Sequence, residues 1–89
     1  MRVILAYAVT PRCVIDMPLC AQILSVGMQG RDVVVFALVD PEKPTTPRRF
    51  AGFGIGHELP PHDYLAEKFI GSVTTHEGLT FHIFEVHVA

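Results

Sequence analysis

Apolar and polar positions along this 89-residue chain alternate, or cluster in short bursts closed by proline and glycine, which is the rhythm of pleated strands and not of helices. Met1–Val9 is rich in Val, Ile, Leu and Tyr and stops at Thr10-Pro11, where proline withholds a ladder donor, so a first strand is predicted there. Arg12–Met17 sets Cys13, Ile15 and Met17 on one face and Arg12, Val14 and Asp16 on the other, a half-exposed edge strand that Pro18 interrupts. Gln22–Gln29 alternates Leu24, Val26 and Met28 with Ile23, Ser25 and Gly27. Gly30-Arg31-Asp32 then leads into Val33–Val39, and the two arms predict a hairpin. The second arm does not alternate, as a strand covered on both faces would not. Its three consecutive valines decide against helix, where β-branched side chains lose rotamer freedom.

Asp40–Pro47, with Pro41, Pro44 and Pro47, predicts a stiff surface loop. Arg48–His57 resumes an extended pattern with Arg49, Ala51, Phe53, Ile55 and His57 on one face and Arg48, Phe50, Gly52, Gly54 and Gly56 on the other. Glu58–Asp63 breaks it, and Asp63 is placed to cap one helical turn over Tyr64–Glu67. Lys68–Thr75 and Leu79–Val88 flank His76-Glu77-Gly78, where glycine supplies the positive φ of a tight hairpin. The expectation is all-β: one domain over residues 1–89, a small antiparallel barrel or sandwich of six to seven short strands, with at most one short helical turn.

Composition narrows the partners. Hydrophobic residues make up 49% of the chain, enough for one core, yet a chain this small removes only roughly 60% of its extended surface from water. Seven Lys and Arg against nine Asp and Glu leave no cationic excess to collect phosphates, so nucleic acid and an acidic membrane surface are disfavoured partners. Two cysteines, Cys13 and Cys20, are too few for a disulfide-built miniprotein. No apolar run reaches the roughly 18 residues of a membrane span, so a soluble, cytoplasmic chain is expected.

The motifs are weaker than they look. Gly52-Phe53-Gly54-Ile55-Gly56 lacks the third glycine spacing, the Lys-Ser/Thr pair and the following helix of a phosphate loop. Glycines there are expected to let a neighbouring side chain or sheet lie close. His57-Glu58-Leu59-Pro60-Pro61-His62 has its histidines five apart across two prolines, which no helical zinc motif tolerates, although His57, His62 and His76 stand as candidates for a spatial metal cluster. His82 shares a strand face with Phe84 and Val86, and His87 shares one with Glu85. Ser25 and Ser72 lack a nucleophile elbow. Cys13 and Cys20 have no base near them in sequence and read as small buried hydrophobes, and the carboxylates have no spacing that forces a pair together. Pro44-Thr45-Thr46-Pro47-Arg48-Arg49 matches a polyproline-ligand pattern, but prolines in a connection serve first to limit unfolded entropy. Arg48, Arg49, Arg31 and Lys43 are candidates for a small cationic rim.

Met17-Pro18, Ala21–Val26, Ala37-Leu38-Val39-Asp40-Pro41, Arg49-Phe50, Gly54-Ile55-Gly56-His57, Phe69–Val73 and Phe81-His82-Ile83-Phe84-Glu85 follow one another across nearly the whole chain. In that order they resemble a group of short phage and prophage proteins classed as a domain of unknown function. The resemblance implies a bacterial or phage cytoplasm and carries no activity. One departure is Met1–Val9, apolar on both faces where more polar residues are expected, which favours a second subunit as its cover.

The leading functional expectation is a non-enzymatic accessory protein, self-associating, that presents a surface to itself or to a phage or host protein and needs no cofactor. Its candidate surface is Arg48, Arg49, Phe50, Gly52, Gly54, Gly56 and His57. The alternatives are a small metal- or ligand-binding protein, hydrolytic or not, built on the histidines, and a small-barrel nucleic-acid binder that stacks bases on Phe50 and Phe53 beside Arg48 or Arg49.

Overall fold

A computed structural model of the chain describes residues 1–56, 58 and 68–86. These form seven strands: β1 (Val3–Ala8), β2 (Arg12–Pro18), β3 (Gln22–Gln29), β4 (Asp32–Val39), β5 (Thr45–Gly54), β6 (Lys68–Thr74) and β7 (Thr80–Val86). All pairing is antiparallel. One sheet has the order β1-β4-β3 and the other β2-β5-β7-β6, so the architecture is a sandwich of two open sheets and not a closed barrel. No helix among the described residues is long and apolar enough to cross a membrane. The helical turn expected over Tyr64–Glu67, like the strand continuation at His87 and Val88, lies outside the described residues.

The two predicted hairpins form where glycine permits them. Gly30 (φ 63°) opens the two-residue turn between Gln29 and Asp32, and Gly78 (φ 84°) turns β6 into β7. Between the sheets lies a core of Met17, Val35, Ala37, Val39, Phe50, Val73 and Ile83, each under 9% exposed. The run Val33–Val39 is the central strand of its sheet, but only the face of Val35, Ala37 and Val39 packs into the core. The strand expected to be covered on both faces instead carries apolar Val34, Phe36 and Leu38 on its outer face, which no second layer of described residues covers.

The loop expected over Asp40–Pro47 is shorter. Asp40 closes a turn by accepting from the Glu42 and Lys43 backbone N–H groups, and β5 already begins at Thr45, opposite Pro18. Two prolines therefore sit inside paired strands, and backbone parity explains how. Leu19 N–H donates to Pro44 O and Gly52 N–H to Pro11 O, both at 2.9 Å, so the β2–β5 ladder runs through odd residues of β2 and even residues of β5. Pro18 and Pro47 have the opposite parity, so neither lacks a donor of the β2–β5 ladder.

Candidate functional site

Strand β5 carries most of the residues singled out by sequence, and its alternation sends them to different places. Arg48 and Phe50 face inward, whereas Arg49 is exposed on the other side. Phe50 is 1% exposed in the centre of the core, so it belongs to no ligand or partner surface and offers no base a stacking face. Arg48 is held in a fork by Glu85 of β7: its Nε pairs with one carboxylate oxygen and Nη2 donates to the other at 2.9 Å, while Nη1 donates to Ala21 O at 2.9 Å. The hydrogen bonds to Glu85 raise the guanidinium pKa above its usual value, against the opposing effect of burial. The cation is spent on joining β5 and β7 to the entry of β3.

An open groove of about 600 Å³ lies beside this fork, lined by Cys20, Ala21, Leu24, Lys68 and Phe69 among others. The expected cationic rim does not form: Arg48 is paired, Arg49 points to the opposite face, and the length of β4 separates Arg31 from Lys43. The polyproline pattern is likewise absorbed, because Thr45–Arg49 is a strand paired with β2.

Gly52 has a packing reason. A Cβ there would lie 3.0 Å from Ile83 Cδ1, so the bare position lets a core side chain lie against the strand. Gly54 ends β5, and Gly56 sits in a turn at φ 80°. His57, His62 and His87 lie outside the described residues. His76 is exposed at the β6–β7 turn with Nε2 2.9 Å from Gly30 O, which ties the two hairpin turns together. His82 Nδ1 is 2.7 Å from Ser72 Oγ across a β6–β7 pair. Among the described residues no three His, Cys, Asp or Glu side chains are grouped to hold a metal ion. The two cysteines are free. Cys13 is half-buried and Cys20 is exposed at φ 64° in the β2–β3 turn, so the expectation of burial fails at Cys20, whose side chain is carried outward by the turn.

Each sheet carries a cluster of apolar side chains on its outward face. On the four-stranded sheet, Phe84 meets Phe53 edge-on at 5.8 Å and Phe69 at 5.3 Å, and Phe69 is 57% exposed. On the three-stranded sheet, register with core residues Val35, Ala37 and Val39 turns Val3, Leu5 and Tyr7 inward, leaving Ile4, Ala6 and Ala8 of β1 and Asp32, Val34, Phe36 and Leu38 of β4 outward. Ile4 is 60% exposed, and Leu5, although inward-facing, is still 41% exposed at the sheet edge.

The chain matches the family described as a domain of unknown function, DUF7352, over residues 1–89, and it belongs to that family. No curated protein and no solved structure matches it.

Proposed function

We propose that this protein is a non-enzymatic interaction module that works by presenting an apolar surface, and that its first partner is itself. One observation carries the reading: the outer face of β1 and β4 bears Ile4, Ala6, Ala8, Val34, Phe36 and Leu38, and its one charged side chain within these strands, Asp32, sits at the turn end of β4. A small monomer gains nothing by wetting such a face, whereas an interface desolvates it. Of the residues that favoured a nucleic-acid partner, Phe50 is buried and Arg48 is paired with Glu85, which leaves Phe53 and Arg49 on the outer face of the four-stranded sheet.

The resemblance to short phage and prophage proteins supports a role among phage or prophage assemblies in the bacterial cytoplasm. Size-exclusion chromatography with light scattering, over a concentration series, tests the self-association. A mass that rises toward a multiple of 9.8 kDa is expected, and a constant monomer mass at every concentration overturns the reading.

A further inference from the structure

We infer that two copies join edge to edge through β1, antiparallel about a two-fold axis at Ala6, so that the three-stranded sheets of both copies become one continuous sheet. This rests on the self-association proposed above but places the contact between copies at the β1 edge of that apolar face and not over the face, so Phe36 and Leu38 on β4 stay outside it.

The backbone fixes which groups are free. Val9 N–H donates to Val33 O at 2.9 Å, and the β1–β4 register pairs residues whose numbers keep that sum, so Val3, Leu5 and Tyr7 direct their N–H and C=O groups at β4. Ile4, Ala6 and Ala8 direct theirs away from it, at the sheet edge, where no described strand pairs with them. Such an edge is a template for another strand unless something blunts it.

The other edges are blunted. Strand β2 carries Arg12 and Asp16 and ends at Pro18, whose missing donor faces the open side. Strand β3 is irregular between Ile23 and Ser25, and β6 between Phe69 and Gly71. These two also approach each other, since a Cβ on Gly71 would lie 2.9 Å from Val26 Cγ1. Strand β1, Val-Ile-Leu-Ala-Tyr-Ala, has no proline, no charge and no bulge.

Self-complementarity selects a second copy as the occupant. A two-fold axis normal to the sheet keeps inward residues inward, so only residues of like parity pair. Using all three free residues leaves one register: Ile4 opposite the partner's Ala8, Ala6 opposite the partner's Ala6, and Ala8 opposite the partner's Ile4. Each of these pairs exchanges two hydrogen bonds. The smallest outward side chain lies on the axis, where two copies crowd most. On the inner face the half-exposed Leu5 comes beside the partner's Tyr7, which completes its burial. Charge permits the pairing: Arg2, the nearest charged side chain, meets the partner's Thr10, and the two Arg2 residues stand roughly 25 Å apart along the strands. A six-residue edge strip is about 20 Å long and covers less than the ~800 Å² per partner of a standard interface, so the dimer is concentration-dependent.

Sedimentation equilibrium of the full chain from micromolar to millimolar concentration tests this with four variants, each checked for folding by circular dichroism and melting. Ala6→Pro deletes an outward donor and spares the β1–β4 ladder, and is expected to weaken dimerisation by about tenfold or more. Ala6→Lys and Ala6→Glu are each expected to be monomeric, and an equimolar mixture to form a heterodimer, because only Ala6 faces its own copy. Leu38→Gln, on the same face but off the edge, is expected to leave the dimer intact. A wild-type oligomer that survives Ala6→Pro, or that is lost in Leu38→Gln, overturns edge pairing while self-association stands. A wild type that stays monomeric throughout overturns both.

Discussion

Arg48 on β5 grips the Glu85 carboxylate on β7 and donates to the Ala21 carbonyl ahead of β3 at 2.9 Å, so one guanidinium joins the two sheets. Both side chains are mostly shielded, at 18% and 13% exposure. Arg48→Met strands the carboxylate and is expected to cost about 2–3 kcal/mol, somewhat below the ~3–5 kcal/mol of a fully buried broken pair. The melting temperature is expected to fall by roughly 10 °C or more. Adding Glu85→Leu is expected to restore part of that loss in a double-mutant thermal-melt cycle, because the orphaned charge is gone.

Gly71 sits where β6 meets β3 of the other sheet. A methyl group there would sit 2.9 Å from Val26 Cγ1, on a β-branched side chain with few rotamers to retreat into. Gly71→Ala is expected to destabilise the fold by about 1–3 kcal/mol in urea denaturation. Val26→Ala in the same chain is expected to remove most of the Gly71→Ala effect. An additive pair contradicts this contact.

Phe50 and Phe69 separate core from surface. Phe50→Ala is expected to cost about 3–5 kcal/mol. That is most of the stability of a chain this size, and urea denaturation should find little folded protein at 37 °C. Phe69→Ala, at a residue 57% exposed against Phe84 and His82, is expected to cost about 1 kcal/mol or less.

At the β6–β7 turn, the Glu77 backbone N–H and the Thr75 hydroxyl hold the Glu77 carboxyl below its ordinary value of 4.5. A depressed folded pKa contributes stability that is present above the unfolded pKa and fades as pH falls through the folded one. Glu77→Gln is therefore expected to lower the melting temperature slightly near neutral pH and to leave it unchanged in strong acid, flattening the acid limb. An identical drop at both ends contradicts the assignment.

Much of this fold is legible in residue order. Alternation gave the faces of β2 and β5, and Gly30 and Gly78 gave both hairpins. The start of β5 was hidden because proline reads as a strand breaker. Only hydrogen-bond parity, which needs the register, shows that Pro18 and Pro47 lose no bond of the β2–β5 ladder. The role of Arg48 was hidden for a similar reason: its partner lies 37 positions away, and inward-facing Arg and Glu at opposed strand ends leave only the faint signal of charge amid apolar alternation. The β1 edge was legible as an apolar strand, but which of its amides are free was not.

Those amides provide the sharpest measurement. In dilute solution, hydrogen exchange followed by NMR is expected to show Leu5 and Tyr7 N–H protected by β4 and Ile4, Ala6 and Ala8 N–H exchanging freely. On concentrating the protein, exchange at Ile4, Ala6 and Ala8 is expected to slow together while Leu5 and Tyr7 change little. Even-numbered amides already protected in dilute solution, or left fast where a dimer has formed, would contradict edge pairing through β1.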